Sequence, residues 1–360
     1  MTLRQYFQER DSPYEVQYFD VSSKQGNKNR GKLNPGNLEA TLKLSLLFAK
    51  ILAQKRPFVV TLPLAQNFLG FMKYSLLLWI ASFFHCKIIA SLGGAHFDLF
   101  FKRSSPLLKK WILKTLGQID ILVVQGESLR RQFEGLIDSS RIRSAHLGLD
   151  PNPFLCSGKK SSGEVNVLFV GCLSKAKGVF ELLKAAPLVS QKVTQIHFHL
   201  VGEILERERN ILHLQNPENN REAFLKLLEE SRKKSRITLH GVLEGEKKNS
   251  IFKSADIFVL PSWSESFPFV LLEAAASGLA LVTTDVGANR EIYCEGENAF
   301  YVSPGDALVL AEKISRLALD PALRERMGDN NRKLIEQNHT HTHFGERMDK
   351  IFRELLEKEI

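Results

Sequence analysis

Two glutamates, Glu265 and Glu273, lie eight residues apart in a segment that is predicted to fold as a strand, a loop and a helix. A buried strand is predicted at residues 257–260, and the polar loop after it carries Glu265. A helix predicted at residues 269–277 carries Glu273 about one turn from its start, and Gly278 ends this helix. Both carboxylates therefore follow the carboxyl end of a strand, where open α/β sheets bind their ligands.

The start of this helix has the chemistry of a site for an anion or for hydroxyl groups. The loop brings Glu265, Ser266 and the backbone amides near Phe267 to Val270 to the helix N-terminus. Such a terminus offers free N–H donors and the positive end of the helix dipole, which favour phosphate or the hydroxyls of a polar ligand. Glu273 has apolar neighbours and needs hydrogen bonds if it is buried. Ribose hydroxyls would supply them, and the alternative is a side chain that faces solvent.

A second block, VGCLSKAKG at residues 170–178, follows a strand predicted at residues 165–170. Gly171 permits close approach of the backbone to a ligand. Lys177 can place a cation on a diphosphate, whereas a single lysine is more commonly a solvated surface residue. Its position in this block favours the phosphate-binding interpretation.

Short apolar runs alternate with longer helical patterns along most of the chain, which predicts βαβ units around parallel sheets. A stretch rich in Pro, Gly, Ser and Lys at residues 150–164 predicts a linker. We therefore expect two Rossmann-like, doubly wound α/β domains facing a cleft, residues 1–152 and 163–343, with a helix at residues 344–360 packing back on the first. The predicted strands are residues 15–21, 57–63, 87–92, 119–124, 165–170, 196–201, 237–240, 257–260 and 279–283, and helices are predicted at residues 37–54 and 179–190.

The sequence around the two glutamates resembles the GT-B retaining glycosyltransferases of family 4. The spacing of Glu265 and Glu273 matches their E-x(7)-E motif, and the segments ADIFVLPS, ESFPFVLLEAAASGLALVTTDVGANREI and YVSPGD are similar to blocks of that family in the same order. The resemblance covers residues 165–350 well and the first half more loosely. It implies transfer of a sugar from a nucleotide diphosphate sugar to an acceptor hydroxyl, in cell-surface polysaccharide or glycolipid assembly, with no cofactor beyond the donor substrate.

The resemblance also implies roles for individual residues. In that family the first glutamate contacts the donor sugar and the second contacts the donor ribose, which would be Glu265 and Glu273 here. His96 is expected near the acceptor and the reacting sugar, although a lone histidine is commonly structural. Catalytic roles are therefore expected for Glu265, Lys177 and His96. The residues expected to bind the donor are Gly171, Lys177, Glu265, Ser266, Phe267, Pro268, Phe269, Val270 and Glu273.

Three departures from the family pattern keep other functions open. Cys172 stands where relatives carry an Arg that contacts phosphate, unless Lys175 replaces it, and Gly93 stands where relatives carry a His. The opening MTLRQYFQER looks like the helix that follows a first strand and Gly-rich loop in relatives. The first domain is thus expected to lack that strand and loop, or the true start lies upstream. The alternatives are a non-catalytic nucleotide-sugar-binding partner subunit and a sugar-nucleotide epimerase on the same scaffold.

The formal net charge of +9 comes from the first part of the chain. Residues 1–150 hold 21 Lys and Arg against 11 Asp and Glu, whereas the remaining residues hold 28 against 29. An anionic partner is therefore expected for the first domain, and the alternative is a basic face without a partner. The apolar run Tyr74–Cys86 is too short to span a bilayer. Together with KKWILK at Lys109–Lys114 it predicts peripheral attachment to an anionic membrane that carries a lipid-linked acceptor.

Other signals point to a cytoplasmic protein without a metal. The four cysteines have no CxxC spacing and the N-terminus has no secretory signal, which favours a reducing cytoplasm, with attachment to the cytoplasmic membrane face as an extension. The segment His339–His343 would place three imidazoles on one side of an extended strand, but no Cys or carboxylate lies next to it, so no metal site is expected. No recognition helix or zinc module points to nucleic acid.

Overall fold

The computed structural model of the chain describes residues 6–7, 15–19, 35–155, 163–206 and 220–357. The chain divides into two compact units, of which the first comprises Met1–His146 with Phe344–Ile360 and the second comprises Leu147–His343. Each described unit contains one parallel sheet, of four strands in the first unit and six in the second. The expected fold class, two Rossmann-like α/β units, is confirmed.

The first unit has a sheet in the order β1-β2-β3-β4, and all of its described pairings are parallel. One face of the sheet packs on apolar residues of four helices, including Leu52, Leu77 and Ile112. The strands are β1 (Val59–Leu64), β2 (Lys87–Leu92), β3 (Ile121–Val124) and β4 (Ile142–Ser144). The helices are α1 (Pro35–Lys55), α2 (Phe68–Phe83), α3 (Phe97–Arg103) and α4 (Pro106–Gly117).

The last helix, α12 (His341–Glu357), covers the other face of this sheet. Its apolar residues Met348, Ile351 and Leu355 recur at helical spacing and form a stripe that packs with Ile89 and Val123. The guanidinium of Arg143 on β4 donates hydrogen bonds to the carboxylate of Glu354 on α12, one of them at 2.8 Å. The C-terminal helix therefore belongs to the core of the first unit.

The second unit has the strand order β10-β9-β8-β5-β6-β7, with every described pairing parallel. The chain starts in the middle at β5, builds outward through β6 and β7, and returns to build β8, β9 and β10 on the other side. The direction of winding reverses between β5 and β8, which is the switch point where doubly wound sheets bind ligands. The strands are β5 (Val165–Val170), β6 (Ile196–Val201), β7 (Ile237–Gly241), β8 (Ile257–Leu260), β9 (Ala280–Thr284) and β10 (Ala299–Val302).

Helices connect the strands of the second unit. The central strands β8 and β9 are buried at every residue, as expected for parallel strands with both faces covered. This burial explains why β8 and the first three residues of β9 are apolar without alternating with polar residues. The helices are α5 (Val179–Ser190), α6 (Asn220–Arg232), α7 (Gly245–Ser254), α8 (Phe269–Ala276), α9 (Asn289–Ile292), α10 (Ala307–Leu319) and α11 (Pro321–Asn338).

The structure differs from the sequence-based expectations near the N-terminus. The strand predicted at residues 15–21 is wrong for its described part, residues 15–19, because these are in no strand and both Val16 and Tyr18 are exposed. Tyr6 and Phe7 are helical and buried. The rest of MTLRQYFQER, and with it the question of a first strand and Gly-rich loop, lies outside the described residues.

Candidate functional site

Two loops leave the carboxyl ends of the neighbouring strands β5 and β8 at the switch point, residues 171–178 and 261–268. The backbone N–H of Trp263 donates to the carbonyl oxygen of Ala176 at 2.9 Å and so ties the loops together. Gly178 has φ of +73°, and a Cβ there would lie 2.0 Å from the Pro261 carbonyl oxygen. Only glycine fits this close approach at a positive φ, so the sequence of the first loop fixes its contact with the second.

Lys177 and Glu265 meet where these loops touch. The ammonium of Lys177 donates to Glu265 Oε1 at 2.7 Å, and the hydroxyl of Ser262 donates to the same oxygen at 2.8 Å. The Glu265 side chain is 9 % exposed and the Lys177 side chain is 32 % exposed. The site therefore holds an almost buried carboxylate beside a cation that remains open to a ligand.

The end of β9 and the loop after it hold the backbone on either side of Glu265. The hydroxyl of Thr284 donates to the Ser262 carbonyl oxygen at 2.6 Å, and the N–H of Ala288 donates to the Ser266 carbonyl oxygen at 2.9 Å. Gly287 has φ of +60°, and a Cβ there would lie 2.3 Å from that Ser266 oxygen. Loops from three neighbouring strands thus hold residues 262–266 in one conformation, which fixes the direction of the carboxylate.

The helix α8 begins directly after this loop. Pro268 is its N-cap residue, and no side chain caps this end with a hydrogen bond. Phe267 is buried, whereas Phe269 and Val270 at the start of the helix are accessible to solvent. The first N–H groups of a helix lack intrahelical partners, so this end can donate to an anion.

Glu273 lies inside α8 and is buried, so the solvent-facing alternative does not hold. Lys248 of α7 reaches it, and its ammonium is 2.7 Å from both Glu273 Oε1 and Oε2. Burial raises the pKa of the Glu273 carboxyl, and the hydrogen bond and charge of Lys248 oppose this. The carboxylate that is expected to hold the ribose is thus paired with Lys248, which belongs to none of the sequence motifs.

Three other residues of the loop at residues 171–178, Gly171, Cys172 and Lys175, differ in their contacts and exposure. The N–H of Gly171 donates to the Val201 carbonyl oxygen at 3.0 Å, which extends the pairing of β5 with β6 by one residue. Cys172 is exposed. The Lys175 ammonium lies 5.6 Å from the centre of the Phe180 ring. Lys175 therefore points to Phe180 at the start of α5, whereas Lys177 points to Glu265.

His96 belongs to the first unit and not to the unit of Lys177 and Glu265. It is the N-cap residue of α3, makes no side-chain capping bond there, and donates its backbone N–H to Gln66 Oε1 at 3.0 Å. Gly93 packs near Gln125 and Gly94 near Gln66. The structure thus brings together Lys177 with Glu265, and describes His96 within a separate unit.

Neither a metal site nor a membrane span is present within the described ranges. No group of three or more His, Cys, Asp or Glu in these ranges could hold a metal ion. The segment His339–His343 was expected to be an extended strand, but α12 begins at His341 and includes the last three of these residues. Among the same residues, no helix has the length and apolar character needed to cross a bilayer.

Residues 157–334 match a family model described as glycosyl transferases group 1. The chain is 27% identical over 190 residues to the capsular polysaccharide biosynthesis glycosyltransferase CapM of Staphylococcus aureus, covering 53% of this chain and 46% of that protein. It is 31% identical over 169 residues to the D-inositol 3-phosphate glycosyltransferase of Pseudarthrobacter chlorophenolicus, covering 46% and 37%. The matches therefore span less than half the length of these curated relatives.

Solved structures show the same fold at low sequence identity. A sucrose-phosphate synthase from Thermosynechococcus elongatus gives a TM-score of 0.69 at 19% identity, covering 91% of this chain and 81% of that chain. The Anabaena protein HepE in complex with UDP gives 0.71 at 15% identity, covering 89% and 83%. These likenesses confirm the GT-B fold class expected from the sequence.

Proposed function

We propose that this chain, whose residues 157–334 match the model of the glycosyl transferases group 1 family, acts as a member of that family and transfers a sugar from a nucleotide diphosphate sugar to an acceptor hydroxyl. One observation carries the proposal: the Lys177 ammonium lies 2.7 Å from Glu265 at the switch point of the second sheet. A cation, a carboxylate and the uncapped N-terminus of α8 thus lie together at the loops of residues 171–178 and 261–268. The retaining stereochemistry rests on the resemblance of the two-glutamate motif.

The difficult step of such a transfer is departure of the nucleoside diphosphate from the anomeric carbon. Negative charge develops on the leaving phosphate, and preorganised positive groups stabilise it. Lys177 and the N-terminal amides of α8 are placed to do this, since both adjoin the loop of residues 261–268. Glu265 orients the donor sugar, and Glu273 holds the ribose. No metal is required in this scheme, because the protein supplies the positive charge.

The acceptor is proposed to be lipid-linked or saccharide, in the assembly of a polysaccharide or glycolipid. The first unit supports this with an apolar stripe along α2, consisting of Phe68, Met72, Leu76 and Phe83, which are all exposed large hydrophobic residues. Leu107 at the start of α4 is 81 % exposed. Exposed apolar patches mark sites of interaction.

The charges of α4 complement this apolar stripe. Lys110 and Lys114 recur at helical spacing on α4, on either side of Trp111. Trp111 stacks on Trp79 of α2, with ring centres 5.4 Å apart. Apolar and aromatic side chains with neighbouring lysines suit the interface of an anionic membrane. We therefore propose peripheral attachment on the cytoplasmic membrane face.

To test the proposal, the full chain is incubated with a UDP-, GDP- or ADP-sugar and with a lipid-linked or free saccharide acceptor. The release of the nucleoside diphosphate is then measured. We expect release that depends on the acceptor, and its loss in Glu265→Ala with unchanged far-UV circular dichroism. Glu325→Ala, an exposed position on α11, is the control. Full transfer by Glu265→Ala would sink the assignment of the site.

Two further measurements separate the alternative functions. Donor consumption without any acceptor and without release of the nucleoside diphosphate would indicate an epimerase. Calorimetric binding of a donor without turnover would indicate a non-catalytic partner subunit. Either outcome contradicts the proposed transfer reaction.

A further inference from the structure

The contact between Lys248 and Glu273 is a second lysine–glutamate pair in the second unit. Both carboxylate oxygens of Glu273 lie 2.7 Å from the same ammonium, and the side chains of Glu273 and Lys248 are 9 % and 28 % exposed. The pair joins α7 to α8, which are separated by β8 along the chain. An ion pair in which one partner is almost buried affects the ionisation of that partner strongly.

The charge state of Glu273 depends on Lys248 because burial works against ionisation. Burial raises the pKa of the Glu273 carboxyl, whereas the hydrogen bond from Lys248 and its positive charge lower it. Removal of the ammonium would leave only the effect of burial. The carboxyl would then hold its proton to a higher pH than in the unchanged protein.

Other charged groups packed near α8 do not replace Lys248. The strands β8 and β9, with sequences IFVL and ALVTT, contain no titratable side chain. On α11, Arg332 lies near Gly278 beyond the C-terminal end of α8 and is 3.6 Å from Asp329. Among the described residues, the shift in the pKa of Glu273 has Lys248 as its charged cause.

The Glu273 carboxylate can accept further hydrogen bonds while it is paired with Lys248. A carboxylate has about four lone-pair directions, and the ammonium occupies one on each oxygen. A pair of neighbouring hydroxyls could therefore donate one hydrogen bond to each oxygen while Lys248 stays in place. The Lys248 ammonium also lies 5.9 Å from the ring centre of Phe252, a buried residue one turn along α7, which limits its movement.

We propose that Lys248 is a positioning residue that keeps Glu273 ionised and oriented to accept hydrogen bonds from the ribose diol of the donor. This inference rests on the proposed function, in which Glu273 holds the ribose. An anionic acceptor makes stronger hydrogen bonds than a neutral carboxyl group. Lys248 thus acts on the donor through Glu273 rather than by contact with the reacting atoms.

The test compares the full chain with Lys248→Met, which keeps the apolar stem and removes the charge. Calorimetry measures the affinity for UDP, GDP and ADP from pH 5.5 to 8.5. In Lys248→Met we expect affinity to fall by about tenfold per pH unit below the raised pKa of Glu273, beginning at a higher pH than in the unchanged protein. Lys248→Arg should restore the original pH profile, because it restores the charge.

The matched control is Lys253→Met on the same helix. The Lys253 side chain is 30 % exposed and its ammonium is 3.8 Å from the exposed carboxylate of Glu246, so the control removes a lysine of similar exposure without touching Glu273. We expect it to leave the pH profile unchanged. An affinity that falls equally at every pH in Lys248→Met would mean that the pair only joins two helices, and this would overturn the inference.

A second measurement keeps the inference separate from the proposed function. In protein labelled with ¹³C at the glutamate carboxyl, the signal of Glu273 is identified by its loss in Glu273→Gln, and its titration gives the pKa without any ligand. We expect a higher pKa in Lys248→Met, and an equal pKa in both proteins would overturn the inference. If no nucleoside diphosphate binds the unchanged chain, the proposed function fails, and the titration still decides the role of Lys248.

Discussion

Replacement of Lys177 by Met separates the structural role of its ion pair from its chemical role. The change leaves the Glu265 carboxylate, which is 9 % exposed, without its cation and with the Ser262 hydroxyl still donating to it. Breaking a buried ion pair from one side costs about 3–5 kcal/mol. Because the Lys177 side chain is 32 % exposed, water replaces part of the interaction, and we expect a loss of about 1–3 kcal/mol. For a unit of this size, each kcal/mol lowers the melting temperature by about 2–4 °C.

The chemical effect should be larger and should not be recovered by a second substitution. Removal of one group that stabilises developing negative charge lowers kcat by about 10²–10³-fold. In the double variant Lys177→Met/Glu265→Gln the uncompensated carboxylate is gone, so the free energy of unfolding should recover while transfer stays low. Urea unfolding and steady-state release of the nucleoside diphosphate measure the two effects. A Lys177→Met protein with nearly full kcat, or a double variant that regains transfer, would refute the role given to Lys177.

Three other perturbations have defined outcomes. Gly287→Ala should destabilise the second unit by about 1–3 kcal/mol, because φ is +60° and the new Cβ would lie 2.3 Å from the Ser266 carbonyl oxygen; an unchanged melting temperature would contradict this. Burial and neighbouring imidazoles lower the pKa of His199 to about 4, so the unfolded chain binds a proton near pH 6.5 that the folded chain does not. The free energy of unfolding should therefore fall as the pH is lowered from about 6.5 towards 4, by at most about 1.4 kcal/mol per pH unit for this group. In urea titrations, His199→Gln should make this pH dependence less steep, and an unaltered dependence would contradict the prediction. Reversing the charges of Lys110 and Lys114 to Glu should weaken sedimentation with anionic vesicles, whereas binding that ignores this change or added salt would count against membrane attachment.

Most of the second sheet could be predicted from the sequence because its central strands are buried on both faces. Strands β5, β6 and β8 have the predicted bounds, since each is a short apolar run between polar loops. Two strands were not predicted. The three residues of β4 are too few for a periodic pattern to stand out, and β10, which is as short as β8, overlaps the segment YVSPGD that was interpreted only as a family block. The strand predicted at residues 15–21 shows the opposite error, since alternation alone does not provide a partner strand.

The site residues that belong to a local sequence motif could be predicted from the sequence. The residues that contact this motif only in the folded structure could not. The spacing of Glu265 and Glu273 and the glycine block around Lys177 were visible in the sequence. Lys248 was not, because it lies on a charged helical segment that is typical of a solvated surface, and its contact with Glu273 is tertiary. Ser262 was assigned only to a polar loop, since its hydrogen bond depends on how that loop folds.

The most direct test of a nucleotide-sugar site at the switch point is a crystal structure of the full chain with a bound nucleoside diphosphate. We predict diphosphate oxygens within hydrogen-bonding distance of the Lys177 ammonium and of the first N–H groups of α8, with the ribose hydroxyls on Glu273. A nucleotide that binds away from the loops of residues 171–178 and 261–268 would contradict the account.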